Sequence, residues 1–500
     1  MMKDWPRNSK DMIDLTVYPD ILERAVQRAK ERNIVIPTLR QQRDPAKIPA
    51  AVAAGLRRTG LWDIDPLNLF RITWHNEPAA KGGGFGPVNT LEFPPALTGV
   101  KARIIALAGK WFPTGAHKVG AAFGCLVPRL VTGQFDPTRQ KAVWPSTGNY
   151  CRGGAYDSAI LGCASVAILP EGMSRERFEW LRTVAGEVIA TPGSESNVKE
   201  IFDKCWELRR SGEDLVIFNQ FDEFGNYLWH YAVTGPAIEE VLQRALRPGD
   251  RFAGVVSATG SAGTIGCGDW LKQRHPSSKI TVSEALQCPT LLRAGFGAHR
   301  IEGIGDKHVP WIHNVRNTDL VVAIDDAAPM SLLRLFNEEA GREYLVKAGV
   351  PESLATDLPL LGISGISNLL SAVKTARWYE LGSRDVVVTI LTDSMDLYAS
   401  RVAELRAEQG PFDATGAAVA YHHWLLGTST DHVAELGYWE RKRLHNLKYF
   451  TWVEQQGKTV EELDALWDPA YWEAIQAQVP AIDRLIGEFN AAVRAGRKRT

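Results

Sequence analysis

The alternation of short β-rich runs with segments of helical length, over residues 100 to 400, constrains the fold more than any other feature of the sequence. Most of the runs are apolar throughout and are followed by an amphipathic stretch, which is typical of strands buried in a parallel sheet. The sequence therefore predicts an α/β fold with parallel, doubly wound sheets. The predicted strands are 102–108, 142–144, 165–169, 187–190, 215–218, 252–257, 279–283, 320–324 and 386–391.

The alternation begins and ends well inside the chain, which predicts an extension on each side. Residues 1–75 alternate helical patterns with turns and are predicted to be an N-terminal extension to an α/β body at 76–402. Because the strand signal stops after about 402, residues 403–500 are predicted to form a helical extension. Its many aromatic rings either pack on the body or take part in a dimer contact or an active-site cover. The glycine-rich segment 82–86 follows no predicted strand, so we expect a flexible loop there and not a phosphate site.

Composition and charge argue against several classes of protein. The net charge of −1 over 500 residues gives no electrostatic basis for binding nucleic acid or a membrane surface. No apolar run reaches the ~18 residues that a spanning helix needs, and the polar N-terminal segment lacks the apolar part of a secretory signal. Six cysteines occur without a C-x-x-C pair, which favours reduced thiols in a cytoplasmic protein and gives no metal-ligand spacing.

Lys118 is the first candidate for a chemical role. It follows the Pro- and Gly-containing segment 113–117 and precedes a stretch of helical periodicity that runs to residue 130. The positive end of a helix dipole, together with burial, lowers the pKa of a lysine and makes its amine nucleophilic. A solvated surface lysine would fit this position equally well, so Lys118 alone does not decide the matter.

Two turns between a strand and a helix carry small polar residues. Ser146, Thr147, Gly148 and Asn149 follow the predicted strand 142–144, and their backbone N–H groups are suited to a carboxylate, although an ordinary helix cap is an equal alternative. Residues 257–266 follow the strand 252–257 and could curl around a phosphate at the start of a helix. A dinucleotide loop is the rival interpretation, but Ala262 and the missing acidic partner weaken it.

The last predicted strand ends at Leu391-Thr392-Asp393-Ser394. Ligands of open α/β sheets bind outside the carboxyl ends of the strands, so a polar side chain here can face a bound ring. A simple strand-end turn is the alternative.

In this order, the four stretches resemble those of the fold-type II enzymes that depend on pyridoxal 5′-phosphate (PLP), within the tryptophan synthase β-like superfamily. The similarity is closest to the cysteine synthase and cystathionine β-synthase branch, over roughly residues 88–402. The sequence 115–118 (Gly-Ala-His-Lys) is more similar to the tryptophan synthase β-chain. Further matching stretches are 97–103, 169–177, 219–221, 234–236, 302–305 and 362–364.

The resemblance implies two doubly wound open-sheet lobes, with a smaller lobe at about 115–240 nested within the larger one, and a role for each candidate residue. Lys118 would hold the cofactor aldehyde as a Schiff base, and Asn149 would bond to the ring hydroxyl. Ser394 would face the pyridine nitrogen, with Asp393 as the alternative. The phosphate would lie on Gly260, Ser261, Ala262, Gly263 and Thr264, where Ala262 replaces a family glycine. The substrate carboxylate would be held by Ser146, Thr147, Gly148, Asn149 and Gln220.

The implied activity is β-elimination or β-replacement on a β-substituted amino acid through an aminoacrylate, with Lys118 as the general base. The same scaffold also fits an amino-acid dehydratase, an ammonia-lyase or a threonine-synthase-like enzyme. A non-catalytic PLP-binding protein and an NAD-binding oxidoreductase are further alternatives. We expect a cytoplasmic homodimer, with an amino acid as the small-molecule partner. The leaving group and any incoming nucleophile stay open.

Overall fold

The computed structural model describes residues 12–495. The strands, numbered along the chain, are β1 (Thr90–Phe93), β2 (Arg103–Ala108), β3 (Lys141–Pro145), β4 (Ser165–Pro170), β5 (Glu187–Thr191), β6 (Leu215–Ile217), β7 (Arg251–Ala258), β8 (Lys279–Ala285), β9 (Leu320–Ile324), β10 (Asp385–Leu391) and β11 (Val433–Glu435). They form a seven-stranded sheet in the order β1-β2-β10-β7-β8-β9-β11 and a four-stranded sheet in the order β5-β4-β3-β6.

Helices separate the strands along the chain. The α-helices are α1 (Pro19–Glu31), α2 (Leu39–Arg43), α3 (Ala50–Leu56), α4 (Pro95–Thr98), α5 (Lys118–Thr132), α6 (Asn149–Leu161), α7 (Arg175–Val184), α8 (Val198–Arg210), α9 (Phe224–Trp229), α10 (Gly235–Ala245), α11 (Gly266–Lys272), α12 (Thr290–Arg293), α13 (Ala327–Asn337), α14 (Glu339–Lys347), α15 (Glu352–Asp357), α16 (Ile363–Trp378), α17 (Ala399–Gln409), α18 (Ala414–Val419), α19 (Tyr438–Lys448), α20 (Val460–Ala465), α21 (Pro469–Gln476) and α22 (Val479–Ala495).

All nine predicted strands are present, and the sheets are parallel except at their two added edges. The pairs that join β2, β10, β7, β8 and β9 are parallel, as are those that join β5, β4, β3 and β6. The edge strands β1 and β11 are antiparallel to β2 and β9. The strands of the smaller sheet lie between β2 and β7 in the sequence, so one sheet is nested within the other.

The prediction that strand structure stops after residue 402 is wrong at β11. This strand has three residues, none of them fully buried, and it pairs with β9 through backbone hydrogen bonds. So short an edge strand has no readable alternation of apolar and polar residues. The four-residue β1 was also not predicted. Residues 82–86 lie outside the helices and strands, as expected of a loop, and Phe85 forms an isolated bridge with Asn76.

Both faces of the seven-stranded sheet are buried, which explains why its strands are apolar throughout. In β2, Ile105 and Leu107 belong to one hydrophobic cluster, whereas Ile104 and Ala106 belong to another. The same alternation divides the valines of β10 between the two clusters. A strand that contributes to two cores can carry few polar side chains, and this is the pattern of a doubly wound sheet.

The N-terminal and C-terminal segments contact each other and the body. The side chain of Asn490 in α22 accepts a hydrogen bond from the Ile36 N–H and donates one to the Ile36 carbonyl. The Trp472 ring lies 5.1 Å from that of Tyr227. Not all C-terminal aromatic rings pack on the body, however: Trp439 is 76% exposed.

Candidate active site

Lys118 is the first residue of α5, as the sequence predicts, and its amine contacts the predicted phosphate loop. Its Nζ donates a hydrogen bond of 2.9 Å to Ser261 Oγ. Burial lowers the pKa of Lys118 from 10.5 to about 8, although the carboxyl groups of Asp306 and Glu195 oppose this shift. Lys118 therefore has a substantial neutral fraction near pH 8, and a neutral amine is what a nucleophile or general base requires.

The loop before Lys118 lies against the end of β10. The backbone N–H of His117 donates to the Thr392 carbonyl, and His117 Nε2 lies 3.3 Å from Thr392 Oγ1. Burial lowers the pKa of His117 to about 3, so this imidazole is neutral at ordinary pH. The carboxyl end of a central strand and the segment that leads into Lys118 are thus adjacent, where ligands of open α/β sheets bind.

The predicted phosphate loop follows β7 and has no room for side chains at two positions. A Cβ atom on Gly260 would lie 2.8 Å from the Gly303 carbonyl, and one on Gly263 would lie 1.9 Å from Asn226 Oδ1. Ala262 lies between them with a φ of 64°, a left-handed conformation that glycine adopts most readily. The geometry favours glycine at position 262 and shows that alanine is accommodated there.

Asn226 joins this loop to Gln220. Its Nδ2 donates to Ser261 Oγ at 3.0 Å and to the Gln220 carbonyl at 2.9 Å. Its Oδ1 is buried without a hydrogen-bond partner. Asn226 was not among the predicted residues. The only sequence signal was its position shortly after the 219–221 match.

The predicted carboxylate turn is a tight turn at the start of α6. The Gly148 N–H donates to Ser146 Oγ at 3.0 Å, and Gly148 has a φ of 153°. Asn149 begins the helix and donates from Nδ2 to Asp393 Oδ2 at 2.6 Å. The Asn149 Oδ1 atom is buried and has no partner. This turn belongs to the four-stranded sheet and Asp393 to the other, so the hydrogen bond joins the two.

Asp393 and Ser394 differ in how far their side chains are already engaged. The Asp393 carboxyl is fully buried and accepts from the Tyr398 hydroxyl at 2.7 Å as well as from Asn149. Burial raises the pKa of Asp393, and the Arg177 guanidinium opposes that shift. Ser394 is also buried, and its carbonyl accepts from the Leu397 N–H. Asp393 is therefore part of a polar network that fixes Asn149.

Arg177 is the centre of that network and was not predicted to have a role. On α7, it forms a buried ion pair with Glu302 at 2.7 Å, donates to the Tyr398 hydroxyl at 2.7 Å and lies 3.6 Å from Asp393. Both Arg177 and Glu302 fall in stretches that carried the family resemblance. The sequence could place them in matching motifs, but it could not show that they meet across the two sheets.

Two buried carboxyl groups, those of Glu195 and Asp306, also act on Lys118 and were not predicted. Burial raises the pKa of each to about 8. Glu195 lies in the segment between β5 and α8, and Asp306 follows the stretch 302–305. Neither residue lies in a sequence motif from which its role could have been predicted.

These features define a class of protein. Lys118 has a lowered pKa, and its amine contacts a glycine-lined loop beside a polar strand end. Together with the two nested parallel sheets, this arrangement is that of a fold-type II PLP-dependent enzyme. The residues present fit the cofactor: the loop has the close approach that a phosphate needs, and Asn149 has an unpartnered polar atom next to the strand end.

Comparison with known proteins gives the family. Residues 87–346, more than half of the chain, match the model of the pyridoxal-phosphate dependent enzymes. The chain is 28% identical over 289 residues to a probable cysteine synthase of Bacillus subtilis, covering 58% of this chain and 85% of that protein. It is 26% identical over 330 residues to the cystathionine beta-synthase of Saccharomyces cerevisiae, covering 64% of this chain and 62% of that protein.

Solved structures share the fold. A hydrogen sulfide-producing enzyme of Fusobacterium nucleatum matches with a TM-score of 0.53 at 23% identity, over 70% of this chain and 92% of that one. An O-acetylserine dependent cystathionine beta-synthase of Helicobacter pylori matches with a TM-score of 0.52 at 23% identity, over 63% of this chain and 95% of that one. At this identity the likeness concerns the fold alone.

The chain belongs to the pyridoxal-phosphate dependent enzyme family. It is a PLP-dependent enzyme of the cysteine synthase and cystathionine β-synthase type, whose chemistry is β-replacement or β-elimination on an amino acid. The helices within residues 12–495 include none that is long and apolar enough to cross a membrane. In the same residues no cluster of three or more His, Cys, Asp or Glu side chains could hold a metal ion.

Proposed function

We propose that Lys118 holds PLP and acts as the general base that removes the Cα proton of a β-substituted amino acid. The observation that carries this proposal is the contact between Lys118 Nζ and Ser261 Oγ, since it joins an amine of lowered pKa to a glycine-lined loop. When bound, PLP supplies the electron sink that makes a Cα proton removable. Asn149, residues 260–264 and Ser394 would hold the cofactor.

The residues 146–149 and Gln220 would bind the substrate carboxylate. The turn offers backbone N–H groups at the start of α6, where the helix dipole favours an anion. Gln220 is buried, and Asn226 fixes its backbone next to the phosphate loop. A carboxylate held here would bring the Cα atom of the substrate close to Lys118.

Ser394 is our choice for the residue that faces the pyridine nitrogen. The Asp393 carboxyl already accepts hydrogen bonds from Asn149 and Tyr398, so its neighbour is the freer of the two. A neutral hydroxyl does not enforce a protonated ring nitrogen, and this favours prompt loss of a β-substituent. Lys118 would take the proton from Cα as the bond from Cβ to the leaving group breaks.

We further propose the division into an N-terminal extension (1–75), a catalytic body (76–402) and a C-terminal extension (403–500). The smaller lobe, at about 115–240, would contain β3 to β6. A cytoplasmic homodimer is the proposed setting, on the general grounds that symmetric oligomers are common and that all six cysteines are buried and unpaired.

The cofactor assignment is tested by the visible absorption of the purified protein after addition of PLP. We expect a band from lysine-bound cofactor that is absent in Lys118→Ala and retained in Lys101→Ala, since Lys101 is exposed. A band that persists in Lys118→Ala would overturn the assignment. A panel of β-substituted alanines then separates the two reactions. Elimination releases pyruvate and ammonia from the substrate alone, whereas replacement requires an added nucleophile.

A further inference from the structure

Glu195 and Asp306 approach Lys118 from different sheets of the protein. Glu195 follows β5 of the four-stranded sheet, whereas Asp306 follows β8 of the seven-stranded sheet. The Ser196 hydroxyl donates to the Gly297 carbonyl at 2.7 Å, and the Thr290 hydroxyl donates to the Asp306 carbonyl at 2.6 Å. The two segments are thus fixed beside each other. Each carboxyl group interacts electrostatically with Lys118, and the two repel one another.

Each of these carboxyl groups has an oxygen atom without a partner. Glu195 and Asp306 are 1% and 4% exposed, and neither Glu195 Oε2 nor Asp306 Oδ2 has a hydrogen-bond partner. Leaving a buried polar atom without a hydrogen-bond partner destabilises the folded protein. Two such oxygen atoms near Lys118 therefore destabilise the folded protein. A bound ligand that donates hydrogen bonds would give each of them a partner.

The position of Glu195 assigns the pair to the substrate and not to the cofactor phosphate. The Thr147 side chain acts on Glu195 by favouring the ionised carboxylate, and Thr147 belongs to the turn that we propose for the substrate carboxylate. The other charged groups that act on Glu195 are Arg177 and Glu302, and these two form an ion pair with each other. A phosphate dianion would be repelled by an ionised carboxylate in such a position.

Lys118 is the only cation that acts on Asp306 among the described residues. In the proposed reaction Lys118 must be neutral when it takes the Cα proton. It then no longer supplies a positive charge to the two carboxyl groups. A cation on the substrate would replace that charge, and an ammonium group offers three donors to the two unpartnered oxygen atoms.

We propose that Glu195 and Asp306 form the subsite for the β-substituent and select amino acids whose β-substituent is an amine. This inference rests on the proposed function. In the elimination, the Cα proton passes to Lys118, and its electron pair forms the double bond between Cα and Cβ. The electron pair of the Cβ–N bond leaves with the ammonium group, which departs as ammonia. The substrate class is therefore 2,3-diamino acids, and anionic leaving groups such as phosphate esters are disfavoured.

A pair of ligands that cannot eliminate tests the subsite by binding alone. L-2,4-Diaminobutanoate and L-aspartate carry opposite charges at nearly the same distance from Cα. Calorimetry on the wild-type holoenzyme should show that the diamino acid binds at least about tenfold more tightly, the ratio that one paired charge of ~1.4 kcal/mol produces. Equal binding, or tighter binding of aspartate, would overturn the inference without the use of any variant.

The variants Glu195→Gln and Asp306→Asn each remove one carboxyl group that can ionise beside a bound cation, while preserving the size of the side chain. Each should reduce the preference for the diamino acid by about tenfold. The matched control is Asp157→Asn: Asp157 is also buried with unpartnered carboxyl oxygens, but burial is the only cause of its raised pKa. The control should leave the preference unchanged. A preference that survives both active-site variants would contradict the proposal.

Turnover separates this inference from the proposed function. We expect kcat/KM for L-2,3-diaminopropanoate to exceed that for O-phospho-L-serine in the wild-type enzyme, and the visible absorption of lysine-bound PLP to persist in Glu195→Gln. If no β-substituted alanine yields pyruvate, and none yields a replacement product with an added nucleophile, the proposed function fails. If pyruvate forms but O-phosphoserine is the better substrate, the proposed function stands and the subsite assignment fails.

Discussion

At the scale of single residues, backbone strain and buried charge leave measurable effects. Ala262 and Ala294 both have left-handed backbones, with φ of 64° and 55°. This conformation costs a residue with a Cβ atom about 1–2 kcal/mol. The two differ in burial: Ala262 is 2% exposed, whereas Ala294 is exposed at the end of α12. Replacing either by glycine relieves the strain, but only at position 262 is a buried methyl group also lost.

We therefore predict that Ala294→Gly raises the free energy of unfolding by about 1 kcal/mol. Ala262→Gly should change it by less than ~0.5 kcal/mol, because loss of a buried methyl group costs about 0.8 kcal/mol. Thermal unfolding of both variants measures the difference. If Ala262→Gly stabilised the protein more than Ala294→Gly, burial of the Ala262 methyl group would not offset the backbone strain at that position.

Asp306 predicts a pH dependence of stability. Burial disfavours the carboxylate and raises the pKa of Asp306 from the ordinary value of 3.8, which applies to the unfolded chain, to about 8 in the folded protein. Between these values the unfolded chain releases a proton that the folded chain keeps, so wild-type stability falls as pH rises, by up to about 1.4 kcal/mol per pH unit. Asp306→Asn removes this loss. The stability difference in favour of the variant should grow from pH 5 to pH 8 and level off above that.

Asp136 provides the control for this experiment. Hydrogen bonds from Thr138 and Arg24 outweigh burial and lower its pKa, so the carboxylate is charged in both states throughout that range. Asp136→Asn should therefore destabilise the protein by an amount that does not change between pH 5 and pH 8. Denaturation midpoints at several pH values measure both variants. A flat difference for Asp306→Asn would show that its carboxyl group ionises normally.

At the scale of elements, the buried side chain of Arg177 joins α7 to the large sheet. Arg177 bonds to Glu302 and lies near Asp393, all three being buried. Removing the cation leaves buried carboxyl groups without their partner, which costs about 3–5 kcal/mol. We predict that Arg177→Gln lowers the unfolding midpoint strongly. Arg175 is on the same helix and forms only an exposed pair with Glu179, so Arg175→Gln should cost less than ~0.5 kcal/mol. Equal effects would refute the role of the buried network.

How well the elements could be predicted depended on their burial. Strands such as β2 and β10 are buried on both faces, so their apolar runs identified them from the sequence. The edge strand β11 is short and half-buried, and its pairing partner lies more than a hundred residues earlier. Lys118 could be recognised because a turn and a helix start are local features. Asp306 could not, because its significance depends on Glu195 and Lys118, which other elements bring beside it.

At the scale of the whole molecule, the N-terminal and C-terminal segments stabilise each other through α22. The Asn490 side chain forms two buried hydrogen bonds with the backbone of Ile36. Replacing it by leucine leaves that N–H and carbonyl unpaired, at about 1–3 kcal/mol for each unsatisfied group. We predict that Asn490→Leu lowers the thermal unfolding temperature and makes residues 34–40 more susceptible to proteolysis.

Gly487 gives a contrasting change in the same helix. A Cβ atom at this position would meet nothing within 4 Å, and glycine in a helix interior costs about 0.5–1 kcal/mol relative to alanine. Gly487→Ala should therefore raise the unfolding temperature. If both substitutions in α22 were neutral, the helix would contribute little to the cooperative unfolding of the body.

The order of strands in the large sheet has a consequence for how the chain is made. β10 lies between β2 and β7 but is synthesised long after both, whereas β3 to β6 all emerge before β7. The roughly 130 residues from β7 to the end of β10 take on the order of ten seconds on a ribosome. During this interval the four-stranded sheet can be complete, while β2 and β7 each present an unpaired apolar edge. Nascent chains that stop before residue 385 should accordingly aggregate or recruit chaperones, and the arrival of one late strand closes the sheet.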